Sequence, residues 1–364
     1  MVSMNELPNV SIVIATLNAG GVIVPCFEAI KMQDYPQENI EIILGDGGST
    51  DNTLELAEKY GALVVHNPLK TAESGKAVAV RAASGDYIAI VDSDNIMPDE
   101  NWLKQMILPL EKHKEAVGSE PWEYTWRKED SYITRYCALI GMNDPFVHFM
   151  GNYDRMNLLT GKWTEVEHTA RDMGDYIVAT FDRRGLPTIG ANGAVFRTPF
   201  LMENLVGDYL FDIDILAKNI KEKGSVTFIK TKNGIIHTYC EADMGKFAKK
   251  QKRRVKDFLY HKFEAKDREF EWETKDPTKD SATSGVVSLF TQSLSKNSGM
   301  LRFLFSCITV VPLVAASIRG YRKKKDWAWF FHPIACEITL WQYGKETIIG
   351  LFKKEEISRD GWKQ

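Results

Sequence analysis

The stretch Gly85-Asp86-Tyr87-Ile88-Ala89-Ile90-Val91-Asp92-Ser93-Asp94-Asn95 constrains this chain more than any other. Its apolar run, Tyr87 to Val91, is short, partly β-branched and preceded by glycine, which suits a strand buried on both faces of a parallel sheet. In an open α/β sheet, ligands collect beyond the carboxyl ends of the strands, so the carboxylates that follow point into a crevice. Asp92 and Asp94 would repel each other and lose solvation there unless a counter-charge joined them. Mg2+ or Mn2+ bound to a diphosphate is the natural partner. An Asp-rich surface turn is the competing reading of these residues taken alone.

The residues around this strand supply a rhythm. Strands are expected over 10–15, 40–44 and 62–66, and helices over 21–33, 54–60 and 76–83, with a loop at 67–74 before the last of them. Strand and helix alternating at this spacing predict a doubly wound, mostly parallel sheet with right-handed crossovers. A nicotinamide dinucleotide fold would open with Gly-x-Gly-x-x-Gly after the first strand, and Thr16 to Gly21 does not provide it. The Gly-x-x-x-x-Gly-Lys-[Ser/Thr] loop is also missing, so a phosphate site must be built another way.

Bulk properties narrow the class. A chain of 364 residues with 44% hydrophobic residues has room for a catalytic domain and something smaller. A net charge of -3 gives no general reason to bind nucleic acid, and a mean hydropathy of -0.26 does not fit a polytopic membrane protein. Cys26, Cys137, Cys240, Cys307 and Cys336 lie far apart and are odd in number, which suits reduced, mostly buried thiols rather than a disulfide framework. Residues 1–9 have no basic segment ahead of an apolar one, so no secretory signal is read and the catalytic part is expected to face the cytoplasm.

Three pieces carry a family resemblance: the first strand ending in Ala15-Thr16-Leu17-Asn18, then Asp46-Gly47-Gly48-Ser49-Thr50-Asp51-Asn52-Thr53, then Gly85-Asp86-Tyr87 leading to Asp92-Ser93-Asp94. In this order, at the ends of successive strands, they resemble the nucleotide-sugar domain of the family-2 glycosyltransferases, which have the GT-A fold. The resemblance implies an α/β domain that binds a nucleoside-diphosphate sugar of UDP or GDP type. Thr16 and Asn18 would line the nucleotide pocket, and Asp46 would accept a hydrogen bond from the base. Asp92, with Ser93 beside it, would contact the ribose or the metal, Asp94 would ligate Mn2+ or Mg2+, and Lys76 would reach the diphosphate. Turn formation by Asp46 and an exposed helix start at Lys76 are the plainer alternatives.

Further on, Gly190-Ala191-Asn192-Gly193 is comparable to a glycine-containing strand that lines the sugar in that family, with Asn192 facing the donor. The family then carries a Glu-Asp pair whose Asp takes the acceptor's proton. Asp212 sits in that position, Phe211 replaces the Glu, and Asp214 follows, so either carboxylate is a candidate base or a helix cap. His237, ending an apolar strand, is a candidate further metal ligand or a core histidine. Arg253 and Arg254, in the basic segment 246–256, are candidates for the diphosphate.

After Ser281 the composition turns apolar and aromatic. No residue between Arg302 and Arg319 is charged, a run shorter than the about 20 apolar residues a crossing needs. Basic residues and Trp327, Trp329, Phe330 and Phe331 follow, which suits an interfacial or re-entrant anchor, with a packed helical subdomain as the alternative. An amphipathic helix is expected over 334–352, with Glu337, Lys345 and Glu346 on its polar face.

These signals divide the chain into a GT-A domain over 1–240 (donor half 1–115, acceptor half 116–240), a basic segment and linker over 241–285, and a helical, membrane-associated region over 286–364. The expected activity is inverting, metal-dependent sugar transfer to a hydroxyl of a lipid-linked or saccharide acceptor. It would take place at the cytoplasmic face of the cell membrane, with the protein peripheral or monotopic and no nucleic acid partner. Transfer to a polyprenyl phosphate, nucleotidyl transfer, and a catalytically inactive nucleotide-sugar-binding module are the rival readings.

Overall fold

The computed structural model describes residues 7–190, 192–205, 207–210, 212–260 and 298–352. They form two compact units, one drawn from Met1–Thr125 and Glu167–His237, the other from Trp126–Val166 and Thr238–Gln364. This division differs from the sequence reading, which kept 116–240 together as one acceptor half.

The first unit is built on a sheet of β1 (Val10–Thr16), β2 (Ile40–Asp46), β3 (Leu63–His66), β4 (Tyr87–Asp92), β5 (Asn95–Ile96), β6 (Ala116–Tyr124), β7 (Thr169–Asp172), β8 (Tyr176–Asp182), β9 (Ala194–Arg197) and β10 (Ser225–His237). The order is β3-β2-β1-β4-β9-β6-β10-β8-β7, with β5 paired to β10. β1 to β4 run parallel to one another, β6 and β10 share their direction, and β9 lies antiparallel between β4 and β6. The sheet is therefore mixed and mostly parallel, as the alternation of elements predicts.

β1 shows why these residues make a central strand. Val10, Ile12, Val13 and Ile14 are all inaccessible to solvent, and each such side chain contributes roughly 1.5–3 kcal/mol by leaving water. From β1 the chain winds outward to β2 and β3, then returns to place β4 on the other side of β1. That reversal is a topological switch point, where a crevice opens at the carboxyl edge. The register aligns Thr16 with Asp46 and Ala15 with Asp92, so the ends of β1, β2 and β4 meet there.

One helix packs on this edge unusually closely. It spans Ala72–Ala82, four residues earlier than expected, because Thr71 Oγ1 accepts from Ser74 N at 3.3 Å and caps it. A glycine in its second turn weakens helix propensity by about 1 kcal/mol, but Gly75 has a packing reason. A Cβ on Gly45 would stand 2.0 Å from Gly75 O, and one on Gly75 would stand 2.8 Å from Gly45 O and 2.9 Å from Ala15 Cβ. Backbone meets backbone here, and Lys76 is carried over the sheet's edge.

Two elements correct the sequence reading. Trp126, Tyr132, Tyr136 and Leu139 are spaced as in a partly buried helix over 123–143, but the structure has the end of β6 there, followed by a helix at Tyr132–Ile140, capped by Ser131 and ended by left-handed Gly141. β6 was hidden by Glu120 and Pro121, which break its apolar pattern; Glu120 is fully buried and paired with fully buried Lys230 of β10 at 2.7 Å. β7 and β8 lie within the polar stretch 152–184, where the sequence showed no clear pattern.

The second unit is helical, with helices at Pro145–Met150, Met244–Tyr260, Ser298–Thr309, Val311–Lys323 and His332–Phe352 besides Tyr132–Ile140. Tyr136, Phe247, Trp329 and Phe331 share one of its buried clusters. Asp326 ties it together, accepting from Trp126 Nε1 at 2.7 Å, Arg135 Nε at 2.9 Å and Ala328 N at 2.8 Å. Glu346, expected on a polar face, is buried near Lys252 and Lys256 at 3.5 and 3.8 Å. Among the described residues no single helix is long and apolar enough to cross a membrane, and the two helices at 299–309 and 311–323 are bent by 95°. All five cysteines are free and buried, as their spacing predicts. The acidic stretch 264–280 lies outside the described residues.

Gly45→Ala is expected to destabilise the protein by about 1–3 kcal/mol, because its methyl group would overpack against a backbone carbonyl. The midpoint of denaturant unfolding measures this.

Candidate active site

Asp92 is the last residue of β4, and the chain turns at once. Asn95 Oδ1 accepts from Asp92 N at 2.9 Å and tightens that turn. β5 then pairs antiparallel with the end of β10, setting His237 opposite Asn95. The result is that Asp92, Asp94 and His237 offer ligand atoms all within 4.8 Å of one another. His237 Nε2 lies 3.3 Å from Asp94 Oδ1. Adjacent corners of an octahedron with bonds of about 2.1 Å are about 3 Å apart, so this pair fits one ion with little adjustment. Two carboxylates and an imidazole suit Mn2+ and, with fewer nitrogen ligands, Mg2+. Ser93 sits half-buried between the acids.

Negative charge at this edge is felt below it. The Cys26 thiol is pushed up to about 12, first by burial and then by Asp94 and Asp92. Asn95 Nδ2 also donates to Asn192 Oδ1 at 3.0 Å, which fastens the glycine-containing loop to the acidic turn. Asn192 holds a left-handed backbone at φ 45°, tolerable for an asparagine.

The predicted base-reading loop is held from within. Asp46 Oδ1 accepts from Thr16 Oγ1 at 2.9 Å and Ser49 Oγ at 2.5 Å, while Oδ2 accepts from Gly48 N and Ser49 N, both at 2.8 Å. A carboxylate has about four acceptor positions, and here all are used by the chain, so a base amide would have to displace one of these donors. Burial works to raise the Asp46 pKa, but the hydrogen bonds from Ser49, Gly48 and Thr16 outweigh it and hold the carboxyl below the usual range. Asn18, left-handed at φ 52°, braces the same loop by accepting from Thr50 N at 2.8 Å.

Lys76 is not at an exposed helix start. It is buried, and its Nζ lies 3.6 Å from Asp212 Oδ2. Burial opposes its charge, but Asp212, then Asp92 and Glu73, more than offset this and raise its pKa above the ordinary lysine value. Lys76 is therefore held as an ammonium between the metal-type acids and Asp212. Asp212 opens the helix Asp212–Lys223, with buried Asp214 in the same first turn, where both favour the helix dipole. A Cβ on Gly190, at φ 148°, would come within 2.6 Å of Asp212 Cβ, so the glycine lets this loop press directly on the candidate base. Phe211 and Ala191 lie outside the described residues.

With this geometry in view, comparison with known proteins shows what part of the chain resembles. Residues 11–168 match Glycosyl transferase family 2. The chain is 34% identical over 167 residues to glycosyltransferase GlyG of Streptococcus pneumoniae serotype 4, covering 44% of this chain and 52% of the relative. It is 24% identical over 145 residues to glycosyltransferase AglE of Haloferax volcanii, covering 38% and 47%. The chain thus spans about half the length of the curated relatives it matches. Among solved structures, the mannosyltransferase PcManGT from Pyrobaculum calidifontis, in complex with GDP-Man and Mn2+, aligns with a TM-score of 0.49 and 15% identity over 98% of this chain and 90% of that one.

The structure brings Thr16, Asn18, Asp46, Lys76, Asp92, Ser93, Asp94, Asn192, Asp212, Asp214 and His237 into one unit. Arg253 and Arg254 belong to the second unit. Arg254 donates to Asn143 O at 2.9 Å and Gln251 Oε1 at 3.1 Å, while Arg253 is exposed. The Glu120–Lys230 pair escaped the sequence reading. Glu120 Oε1 accepts from Gly190 N at 3.1 Å, so this pair fixes the loop that touches Asp212. Its partners are 110 residues apart, and no local pattern signals it.

Asp94→Ala is expected to weaken Mn2+ binding at least about tenfold, equivalent to about 1.4 kcal/mol, as read by titration calorimetry. Asp46 makes its own pH prediction. Its folded pKa lies below its unfolded value of about 3.9, so its stabilising contribution is complete above that value and is lost as pH falls through the folded one. Asp46→Asn should lower stability at neutral pH and flatten its acid-side decline, as measured by denaturant unfolding across that range.

Proposed function

We propose that the first unit is an inverting, metal-dependent glycosyltransferase that moves a sugar from a UDP- or GDP-type donor to a hydroxyl of a lipid-linked or otherwise membrane-presented acceptor. The observation that carries this reading is the meeting of Asp92, Asp94 and His237 at the switch point, next to the buried Lys76–Asp212 pair. Two carboxylates and an imidazole converging at a sheet edge form a ligand set suited to a divalent cation, which would in turn hold a diphosphate.

Asp212 is the base. Attack on the anomeric carbon builds positive charge on the acceptor hydroxyl, and a buried carboxylate relieves it by taking the proton. Lys76 holds Asp212 in place, with its own charge favoured by Asp212 and then by Asp92. Asp92, Asp94 and His237 would hold the ion, which when bound offsets charge developing on the departing nucleoside diphosphate. A proton acceptor on one side of the sugar and a leaving-group site on the other give a single in-line displacement with inversion. The Gly190 loop, packed on Asp212 and fastened to the acidic turn through Asn192, positions both halves.

The acceptor assignment draws on the second unit, where exposed apolar side chains at the bend around Val310 lie close in sequence to Arg319, Arg322 and Lys325. Such a combination favours placement at the cytoplasmic membrane surface, peripheral or monotopic.

Release of nucleoside diphosphate from a panel of nucleotide-sugars with Mn2+ tests the reading. Asp212→Asn should lower kcat by about 100-fold or more, within the usual range for loss of a general base. Transfer retained in both Asp212→Asn and Asp214→Asn would remove the base and favour an acceptor that is already ionised. Release of pyrophosphate instead would reassign the domain to nucleotidyl transfer.

A further inference from the structure

The second unit contains a cavity of about 380 Å3 beneath the bend between the helices Ser298–Thr309 and Val311–Lys323. Its polar lining includes Arg302, Arg319, His148, His332, Ser306 and Glu165. The first helix is seated firmly. A Cβ on Gly299 would stand 2.5 Å from Phe149 O, and Arg302 Nη2 donates to that same carbonyl at 2.8 Å. Phe303 packs edge-on against Phe146 and Phe149, each at 5.1 Å between ring centroids. The bend itself falls on Val310, a β-branched residue in a left-handed conformation at φ 58°. That conformation is costly for valine and persists only where the surroundings impose it.

Charge in this cavity is one-sided. Neither Arg302 nor Arg319 has a carboxylate partner among the described residues. Glu165 is the one acid in the lining, and like Arg302 and Arg319 it is exposed, so the rim carries two positive charges against one negative. The histidines do not add positive charge. Burial, then Arg302 and Arg319, hold His148 down at about 4, and burial, then His148 and Arg319, hold His332 at about 3. Both imidazoles are therefore neutral hydrogen-bonding groups at pH 7. Asn157 Nδ2 donates to His148 Nδ1 at 2.9 Å, which leaves the Nε2–H of His148 to donate elsewhere. Two guanidinium groups, an imidazole N–H and a serine hydroxyl make a donor set suited to a phosphate.

The other half of the surroundings is apolar. Phe305, Pro312, Leu313 and Ala316 share the lining. Just outside, Ile308 is 78% exposed, Val311 71% and Phe305 62%. No soluble phosphate compound accounts for that surface, whereas a lipid presents a phosphate and alkyl chains together.

We propose that this cavity binds the phosphate of an anionic membrane lipid, with its acyl chains lying along the exposed side chains of the bend at Val310. The inference deepens the membrane-surface part of the function proposed above and rests on it, but not on sugar transfer. It fixes which face of the second unit meets the bilayer, with the bent helices lying in the interface rather than crossing it.

Flotation of the full chain with vesicles tests this, comparing phosphatidylcholine alone with phosphatidylcholine mixed with phosphatidylglycerol. The wild-type protein should float with the mixed vesicles and bind phosphatidylcholine weakly. Arg302→Gln combined with Arg319→Gln should weaken binding about 25-fold or more, from at least about fivefold per arginine. Arg322→Gln combined with Lys325→Gln removes the same formal charge outside the cavity and should weaken it clearly less. Ile308→Ser combined with Val311→Ser, both at exposed positions, should also weaken binding, with circular dichroism confirming that each variant is folded. Equal loss from the two charge pairs would reduce the effect to diffuse attraction and overturn the site. Equal binding of both vesicle types by wild type and the cavity variant would also overturn it while leaving the membrane surface intact. Failure to float at all would remove both, and nucleotide release measured without lipid would still report on sugar transfer. Competition by inorganic phosphate alone, with no vesicle binding, would assign the cavity to a soluble phosphate and overturn the lipid.

Discussion

Everything in the first unit answers to one electrostatic constraint. Asp92 and Asp94 stand at the end of a fully buried strand, and Asp212 and Asp214 begin a helix whose first turn is also buried. Carboxylates withdrawn from water in this way persist as anions only beside positive charge or directed donors. Lys76 supplies part of that charge, and it reaches the site because Gly45 and Gly75 let a helix settle on the backbone of β2. A divalent cation between Asp92, Asp94 and His237 would supply the rest. The close packing and the chemistry are thus parts of a single arrangement, since a methyl group at either glycine would push away the lysine that holds the candidate base.

The groups around this centre work by being immobile. Asp46, Thr16 and Asn18 spend their hydrogen-bonding capacity on the loop 46–51, which is thereby held rigid at the sheet's edge. Glu120 and Lys230 neutralise each other inside the sheet, and Glu120 holds Gly190 against Asp212. A buried ion pair adds little net stability compared with apolar residues, although breaking one side of it is costly. Its use here is positional, because it directs a backbone N–H and so fixes a loop.

The second unit follows a different logic. Its core is aromatic, and its polar ties include Asp326, which receives three donors, and Glu346, which lies near two lysines. Against that background, the arginines under the bend and the apolar side chains above it stand out as surface left for something else to cover. A chain with no helix both long and apolar enough to cross a bilayer among its described residues can still lie on one, and a bent pair of short helices provides the area without the length.

Local patterns revealed much of this. The apolar run ending in Asp92-Ser93-Asp94, the glycine-dense loop after β2 and the strand-helix alternation are short-range signals, because burial on both faces and tight turns demand particular residues in consecutive positions. His237 was readable as a candidate only from its place at a strand's end; its approach to Asp94 depends on β10 pairing with β5 across more than a hundred residues. The early start of the helix carrying Lys76, the strand concealed by Glu120 and Pro121, and the burial of Glu346 were not legible, since each depends on a partner distant in the chain. The amino-acid sequence alone determined the sheet's central strands, their alternation with helices and the acids at their ends, because periodicity and turn chemistry act within a few residues. Only the tertiary structure decided which histidine joins those acids, which lysine neutralises them and where arginines meet an apolar surface, because pair energies depend on distance and burial, which no local pattern encodes.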